Sequence, residues 1–285
     1  MKAIDLCTKL ENDFVMPDMI EDWYDESMAE IEEYICDNFK QRSMGLLCNF
    51  SQEINKVYTA VFPSDNVLIK ILADNTCDAM LFLHHPMDWD LSKEPGKAFH
   101  VMNAGLLSKL RERRISLFNF HYPLDNFGDY ANSKTLAEAL SITVERPFAE
   151  FSGALCGVIG MTDCKDVHEL NNKYSQAVGH ETKLYQYGED RIIDNRVAIV
   201  AGGGNDADVV VEVIENGINV LISGLSTKNE YSFAAHEMEK ENGINLLGGT
   251  HYSSEKFGCI AMCDYFKKLG LASEFIDGRP CLKDL

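Results

Sequence analysis

The chain has 285 residues with 26 basic and 45 acidic side chains, a formal net charge of −19. A field of that sign repels phosphate backbones and anionic membranes, which excludes nucleic acid as a partner. An apolar fraction of 46%, a charged fraction of 25% and only 7 prolines exclude a fibrous or disordered chain and leave one large α/β unit or two domains.

No segment approaches the roughly 18 consecutive apolar residues of a membrane helix. Asp5 interrupts the N-terminus before a signal-peptide core could form, so a cytoplasmic location is expected. The nine cysteines are odd in number and include no CxxC, which fits neither a disulfide framework nor a zinc knuckle. Cys259 and Cys263, four apart, are expected on one helix face as small buried hydrophobes.

The first fifty residues read as helices. Leu6 and Leu10, then Ile20, Trp23, Tyr24, Met28, Ile31 and Ile35, recur at three- and four-residue spacings among acidic residues, and no catalytic constellation is visible there. From Asn55 the pattern becomes short β-rich runs alternating with amphipathic stretches, the signature of βαβ units. Val57 to Phe62 is the first predicted strand, and Pro63-Ser64-Asp65-Asn66 supplies the turn and cap for a helix carrying Val67, Leu68, Ile71 and Leu72. The strand Ala79 to Leu83 ends in His84-His85-Pro86. A helix with Leu106, Leu107 and Leu110 leads to the strand Ile115 to Phe120, which ends in His121-Tyr122-Pro123-Leu124-Asp125.

The same order returns later. Strand Val197 to Ala201, turn Gly202-Gly203-Gly204-Asn205-Asp206, a helix with Val209, Val210, Val213 and Ile214, and strand Asn219 to Ile222 repeat the first unit. An amphipathic stretch, Phe233 to Glu241, then leads through strand Ile244 to Leu247 into Thr250-His251-Tyr252-Ser253-Ser254-Glu255. Both copies end in His-Tyr-x-x-acid. This predicts an internal duplication: two similar α/β halves, each a mainly parallel or mixed sheet flanked by helices, facing each other. The expected division is residues 1–128 plus 248–285 for the first α/β domain and 129–247 for the second.

Ligands of parallel sheets collect beyond the carboxyl ends of the strands, where His84, His85, His121, Asp125, His251 and Glu255 all fall. Nitrogen and carboxylate donors suit Zn, Mn or Fe rather than Ca or Mg. Adjacent residues leaving a strand point in opposite directions, so His84 and His85 are expected to reach two neighbouring ions. Four-residue spacing lets His251 and Glu255 share a helix face, and the two oxygens of Glu255 can bridge two metals. His100, His168, His180 and His236 lack an acidic partner at that station and read as surface or packing residues. The run Gly202 to Gly204 is either an anion-holding nest or a tight structural turn, and it matches neither GxGxxG nor GxxxxGK[ST].

These clusters carry a resemblance. Through His84-His85-Pro86, His121-x-x-x-Asp125, Gly202 to Gly204 and His251-Tyr252-x-x-Glu255, in that order and at similar spacing, the chain resembles the Nif-three-like family, also called type-2 GTP cyclohydrolase homologues, over nearly its whole length. The resemblance implies two divalent transition-metal ions per chain held by His84, His85, Asp125, His251 and Glu255, with Glu255 as the bridge and His121 in proton transfer. It also implies that the two halves face across a metal-binding cleft, and that dimers assemble into a hexameric ring. Tyr122 and Pro123, Ser223-Gly224-Leu225-Ser226 and Glu21-Asp22-Trp23-Tyr24 depart from the family pattern and bear on substrate contacts rather than on the ligand set.

The expected function is a dinuclear-metal hydrolase acting on a nucleotide, by GTP cyclohydrolase-like ring opening, or on a phosphoester, with His121 and Glu255 as the catalytic side chains and Lys228, Lys256 or the glycine run meeting phosphates. The alternative is a non-catalytic metal-binding assembly or partner-binding protein. A catalytic site keeps an open coordination position, whereas a structural one is closed.

Overall fold

The computed structural model describes residues 1–94 and 96–285. In chain order its elements are α1 (Ala3–Phe14), a 3₁₀ helix (Glu26–Tyr34), α2 (Asp37–Arg42), β1 (Gly45–Cys48), β2 (Lys56–Ala60), α3 (Asp65–Ala73), β3 (Ala79–Leu83), β4 (Asp88–Glu94), β5 (Lys97–His100), α4 (Ala104–Glu112), β6 (Ile115–Asn119) and α5 (Tyr122–Asp125). There follow α6 (Asn132–Ala139), β7 (Thr143–Phe151), β8 (Ala154–Met161), α7 (Val167–Val178), β9 (Lys183–Tyr185), β10 (Arg196–Val200), α8 (Ala207–Glu215), β11 (Val220–Ser223), α9 (Phe233–Asn242), β12 (Asn245–Gly248), α10 (His251–Lys268) and β13 (Ala272–Phe275).

The chain divides into two compact units. One comprises residues 1–124, 152–154 and 259–279; the other comprises 125–151, 155–258 and 280–285. The first unit is built on a five-stranded sheet of order β1-β6-β3-β2-β13, parallel except for β1 against β6. Strand alternation puts Tyr58, Ala60, Leu81, Leu83, Ile115 and Leu117 on one face. There they pack with Val67, Leu68 and Ile71 of α3 and Leu107 and Leu110 of α4. The helices start where the chain caps them: Ser64 accepts from the Val67 amide and Asn103 from the Leu106 amide. Phe82 and Phe118 alternate to the opposite face and meet Phe266 of α10 and Phe120, and Thr59 donates to the Cys259 carbonyl. Cys259 and Cys263 are buried there, as their spacing implies.

The second unit carries a six-stranded sheet of order β7-β8-β10-β11-β12-β9. Its core β10-β11-β12 is parallel, and β8 and β9 pair antiparallel on either side of it. Ala198, Val200, Leu221 and Leu246 face α8 and α9 through Val209, Val210, Val213 and Ala235. Val197, Ile199, Val220 and Ile222 face α6 and α7 through Leu136, Leu140, Leu170 and Tyr174. The path β2-α3-β3-α4-β6 therefore recurs as β10-α8-β11-α9-β12, two similar α/β halves with mixed sheets. The first path adds the antiparallel pair β4 and β5 between β3 and α4.

The N-terminal fifty residues differ from the helical expectation. Residues 15–25 form no helix, Glu26–Tyr34 is 3₁₀, and Gly45–Cys48 is a strand. Ile20 is 72% exposed while the neighbouring Glu21 is only 9% exposed, the reverse of an amphipathic helix. Four residues of strand are too few to display a period against a helical background.

An electrostatic cluster ties β2 to α3 and β13. Lys56 Nζ lies 2.8 Å from Asp74 Oδ2 and 2.7 Å from Glu274 Oε2. Lys56, with the Tyr58 and Thr76 hydroxyls, holds the Asp74 carboxyl well below the usual carboxylate range. A carboxyl depressed in the folded state stabilises above its unfolded value, about pH 4, and that contribution is lost as pH falls through the folded value. The urea midpoint of the native protein is therefore expected to fall more steeply below about pH 4 than that of an Asp74→Asn variant. Parallel curves would contradict this role.

Candidate metal centre

In the first unit the parallel strands β3 and β6 both end in histidines. Backbone contacts hold the turn after β3: the His84 and His85 amides donate to the Ala60 and Val61 carbonyls at 3.2 and 2.9 Å, and Asn119 Nδ2 donates to the His84 carbonyl at 2.6 Å. His84, His85 and His121 each offer a ring nitrogen, and these nitrogens lie within 4.8 Å of one another. The rings of His84 and His85 are 4.3 Å apart, centre to centre. The alternation that would send adjacent side chains to opposite faces does not separate them, because β3 ends at Leu83.

His84 Nδ1 sits 3.0 Å from the Phe120 carbonyl oxygen. A carbonyl can only accept, so Nδ1 carries the proton and, in the neutral ring, the lone pair is on Nε2. His85 stacks on Phe62 with ring centres 4.6 Å apart. His84 and His85 are both buried.

Glu21 and Trp23 belong to this cluster although residue spacing shows nothing catalytic in their segment. Glu21 Oε1 accepts from the Tyr122 amide at 3.1 Å, Oε2 accepts from Trp23 Nε1 at 2.7 Å, and Oε2 lies 3.7 Å from His121 Nδ1. The Trp23 ring stands edge-on to His121 at 5.0 Å and to His85 at 5.6 Å. The signal that could have found them was the acid before Trp23 in an otherwise unmatched stretch. It is decipherable only once residues 21 and 121 are known to touch.

In the second unit, His251 and Glu255 begin α10. His251 Nε2 and Glu255 Oε1 are 3.1 Å apart on one helix face, and both residues are buried. Thr250 starts the helix by accepting from the Ser253 amide at 3.1 Å. Asp284 Oδ2 accepts from the His251 amide at 2.8 Å, so the end of the chain also positions this turn. Asp125 closes α5, and its Oδ1 accepts from Asn132 Nδ2 at 2.8 Å.

The glycine run is a structural turn in this unit. Gly202 has φ +69° and its amide donates to Ser254 Oγ at 2.9 Å, while its carbonyl accepts from the Leu225 amide at 2.9 Å. A Cβ at position 202 would lie 2.0 Å from Glu255 Oε1. The two lysines considered for phosphate are engaged: Lys256 Nζ donates to the Val178 carbonyl, and Lys228 lies over the Tyr185 and Tyr187 rings.

The donors present fit a borderline divalent cation. Within the first unit lie buried imidazoles, one with its Nδ1 committed to a carbonyl; within the second lie a buried imidazole and a carboxylate, and a glycine leaves room beside Glu255 where any side chain would intrude.

The family model of Duf34/NIF3 (NGG1p interacting factor 3) matches residues 26–279. The chain belongs to that family. Among curated Duf34/NIF3 relatives, a protein named GTP cyclohydrolase 1 type 2 homolog from Pyrococcus horikoshii is 28% identical, the alignment covering 82% of this chain and 88% of the relative. A protein of the same name from Archaeoglobus fulgidus is 27% identical over 88% of this chain and 98% of its own. Among solved structures, TTHA1606 from Thermus thermophilus superposes with a TM-score of 0.67 at 20% identity, covering 98% of this chain and 99% of that one. A structural-genomics structure of the protein ybgI, whose function is given as unknown, superposes with a TM-score of 0.74 at 20% identity over 99% and 100%. At these identities the structural likenesses establish the Duf34/NIF3 fold. Among the described residues no helix is long and apolar enough to cross a membrane.

Proposed function

We propose that this Duf34/NIF3 protein is a divalent-metal-dependent hydrolase in which His84, His85, Asp125, His251 and Glu255 hold two transition-metal ions, with Zn, Fe or Mn matching the donors. The observation that carries the reading is the group of three histidine nitrogens at the ends of β3 and β6, from the buried His84 and His85 and the half-buried His121, with His84 Nδ1 held at the Phe120 carbonyl. Two divalent ions supply Lewis acidity and lower the pKa of water.

The side chains have separable tasks. His84 and His85 bind through neutral imidazoles held by backbone contacts, so little reorganisation accompanies loading. Glu255 offers a carboxylate kept in place by its helix and by His251. His121, with the Glu21 carboxylate beside Nδ1, is suited to take a proton from an attacking water and return it to a leaving group. The relatives' shared name supports a nucleotide whose purine ring is opened by water, with formate leaving after further hydrolysis. A phosphoester suits the same donors. The same reading expects homo-oligomers.

Elemental analysis of gently purified protein, run beside Glu255→Ala, tests the proposal. Near two transition-metal ions per chain, falling sharply in the variant with the circular dichroism unchanged, is the expected result. Folded native protein that takes up no added Zn, Mn or Fe would refute it. The burial of His84, His85 and Glu255 is the observation favouring the alternative, a non-catalytic metal-binding assembly. Loaded protein that releases neither formate nor phosphate from nucleotide and phosphoester panels would support that alternative.

A further inference from the structure

A second buried polar cluster lies within the second unit, centred on His236 of α9, which spacing alone presents as a packing residue. His236 is 1% exposed and Glu239, one turn on, is fully buried. Nδ1 of His236 is 3.0 Å from the Tyr187 hydroxyl and 3.3 Å from Glu239 Oε2. Nε2 is 3.1 Å from the Ser226 carbonyl and 3.2 Å from the Asn205 side-chain amide. The carbonyl requires Nε2 to carry a proton. The Asn205 amide then meets it best through its oxygen, which has no hydrogen-bond partner when the nitrogen faces the ring.

Holding an imidazole and a carboxyl out of water is costly unless the geometry accomplishes something. The two residues gripped by Nε2 lie on two loops linked to the His251 turn by hydrogen bonds through Asp284 and Ser254. Ser226 follows β11, and its amide and that of Thr227 both donate to the Asp284 carbonyl, at 2.8 and 2.9 Å. The Asp284 carboxylate in turn accepts from the His251 amide. Asn205 ends the glycine run, where Gly202 donates to Ser254 Oγ, and that hydroxyl donates to the His251 carbonyl at 3.0 Å. Leu225 links the two loops by donating to the Gly202 carbonyl.

We infer that His236 is a positioning residue for the His251–Glu255 donor pair, clamping the loops after β10 and β11 so that Gly202 and Asp284 set the first turn of α10. The inference rests on the metal-binding reading above, but the clamp itself is made of hydrogen bonds within the second unit. Loss of an outer partner of this kind commonly costs about 10- to 100-fold in metal affinity.

The test uses the full chain stripped of metal and compares the native protein with His236→Ala, His236→Gln and Asn205→Ala. Zinc or manganese is titrated in by calorimetry, and amide hydrogen exchange is followed at Gly202, Leu225, Ser226 and His251. Expected is a 10-fold or greater weakening of metal binding in His236→Ala, partial recovery in His236→Gln, whose amide restores a donor toward Ser226, and faster exchange at those amides with α7 still protected. If His236→Ala does not fold, Asn205→Ala carries the same comparison. Native-like metal affinity in a folded variant, with native protection at the four amides, overturns the inference and leaves the metal reading standing. Native protein that binds no metal overturns the metal reading, and the exchange data then decide the clamp alone: unchanged protection rejects it.

Discussion

A Gly202→Ala protein is expected to lose most of its bound metal while remaining folded. Position 202 has φ +69°, where a side chain costs about 1 to 2 kcal/mol relative to glycine. Its Cβ would lie 2.0 Å from Glu255 Oε1, 3.0 Å from Glu255 Cδ and 3.2 Å from His251 Nε2. Something must move. The backbone of Gly202 is held on both sides by Ser254 and Leu225, so the group displaced is the Glu255 carboxylate, the proposed bridging ligand. Elemental analysis and urea denaturation on the same preparations check this. The expected pair of results is a metal content well under half of the native protein's and a stability loss of about 1 to 2 kcal/mol. A variant that keeps its full complement of metal would show that Glu255 does not need the space glycine leaves.

Phe82→Ala is expected to destabilise the first unit by about 3 to 5 kcal/mol. Phe82 is fully buried one residue before the end of β3, a strand flanked by β2 and β6. Its ring meets Phe118 at 6.1 Å, Phe120 at 6.2 Å and Phe266 at 5.6 Å between centres. Rings fixed on β6 and α10 cannot collapse into the space, so a cavity term adds to the lost transfer energy. The residue is also two positions before His84, so the loss should reach the histidine turn. Equilibrium urea unfolding measures the effect, and a cost below about 1.5 kcal/mol, typical of a volume-conserving change, would mean that the aromatic cluster repacks.

Much of this architecture is legible in the chain because the central parallel strands are short, mostly apolar and bounded by strong turn chemistry. β3 was located to the residue, and α8 and α9 lie where the spacing of Val209, Val210 and Val213 and the stretch from Phe233 place them. Two groups of elements are not read from the chain: α6, β7, β8 and α7, in a stretch assigned to the second half without individual elements, and the shortest strands. β1 and β9 have four and three residues, and β13 has four, mostly half-exposed. Such strands exist because a neighbouring strand supplies the hydrogen bonds, and that information is not local.

The chemistry divides the same way. Histidines and carboxylates following strand ends are a matter of composition and order, so His84, His85, His121, Asp125, His251 and Glu255 could be named from the chain alone. Their setting could not. Glu21 reaches the His121 turn across 101 positions of sequence, Asp284 reaches His251 across 33, and His236 grips Asn205 across 31. The sequence by itself determined the donor inventory, the repeated βαβ order and the sign of the surface charge, because each follows from residue type at short range. Only the tertiary structure decided which nitrogen of His84 meets the Phe120 carbonyl, why Glu21 is buried beside an exposed Ile20, and which loops hold the first turn of α10. Those outcomes depend on hydrogen bonds closed by distant segments, for which spacing along the chain carries no signal.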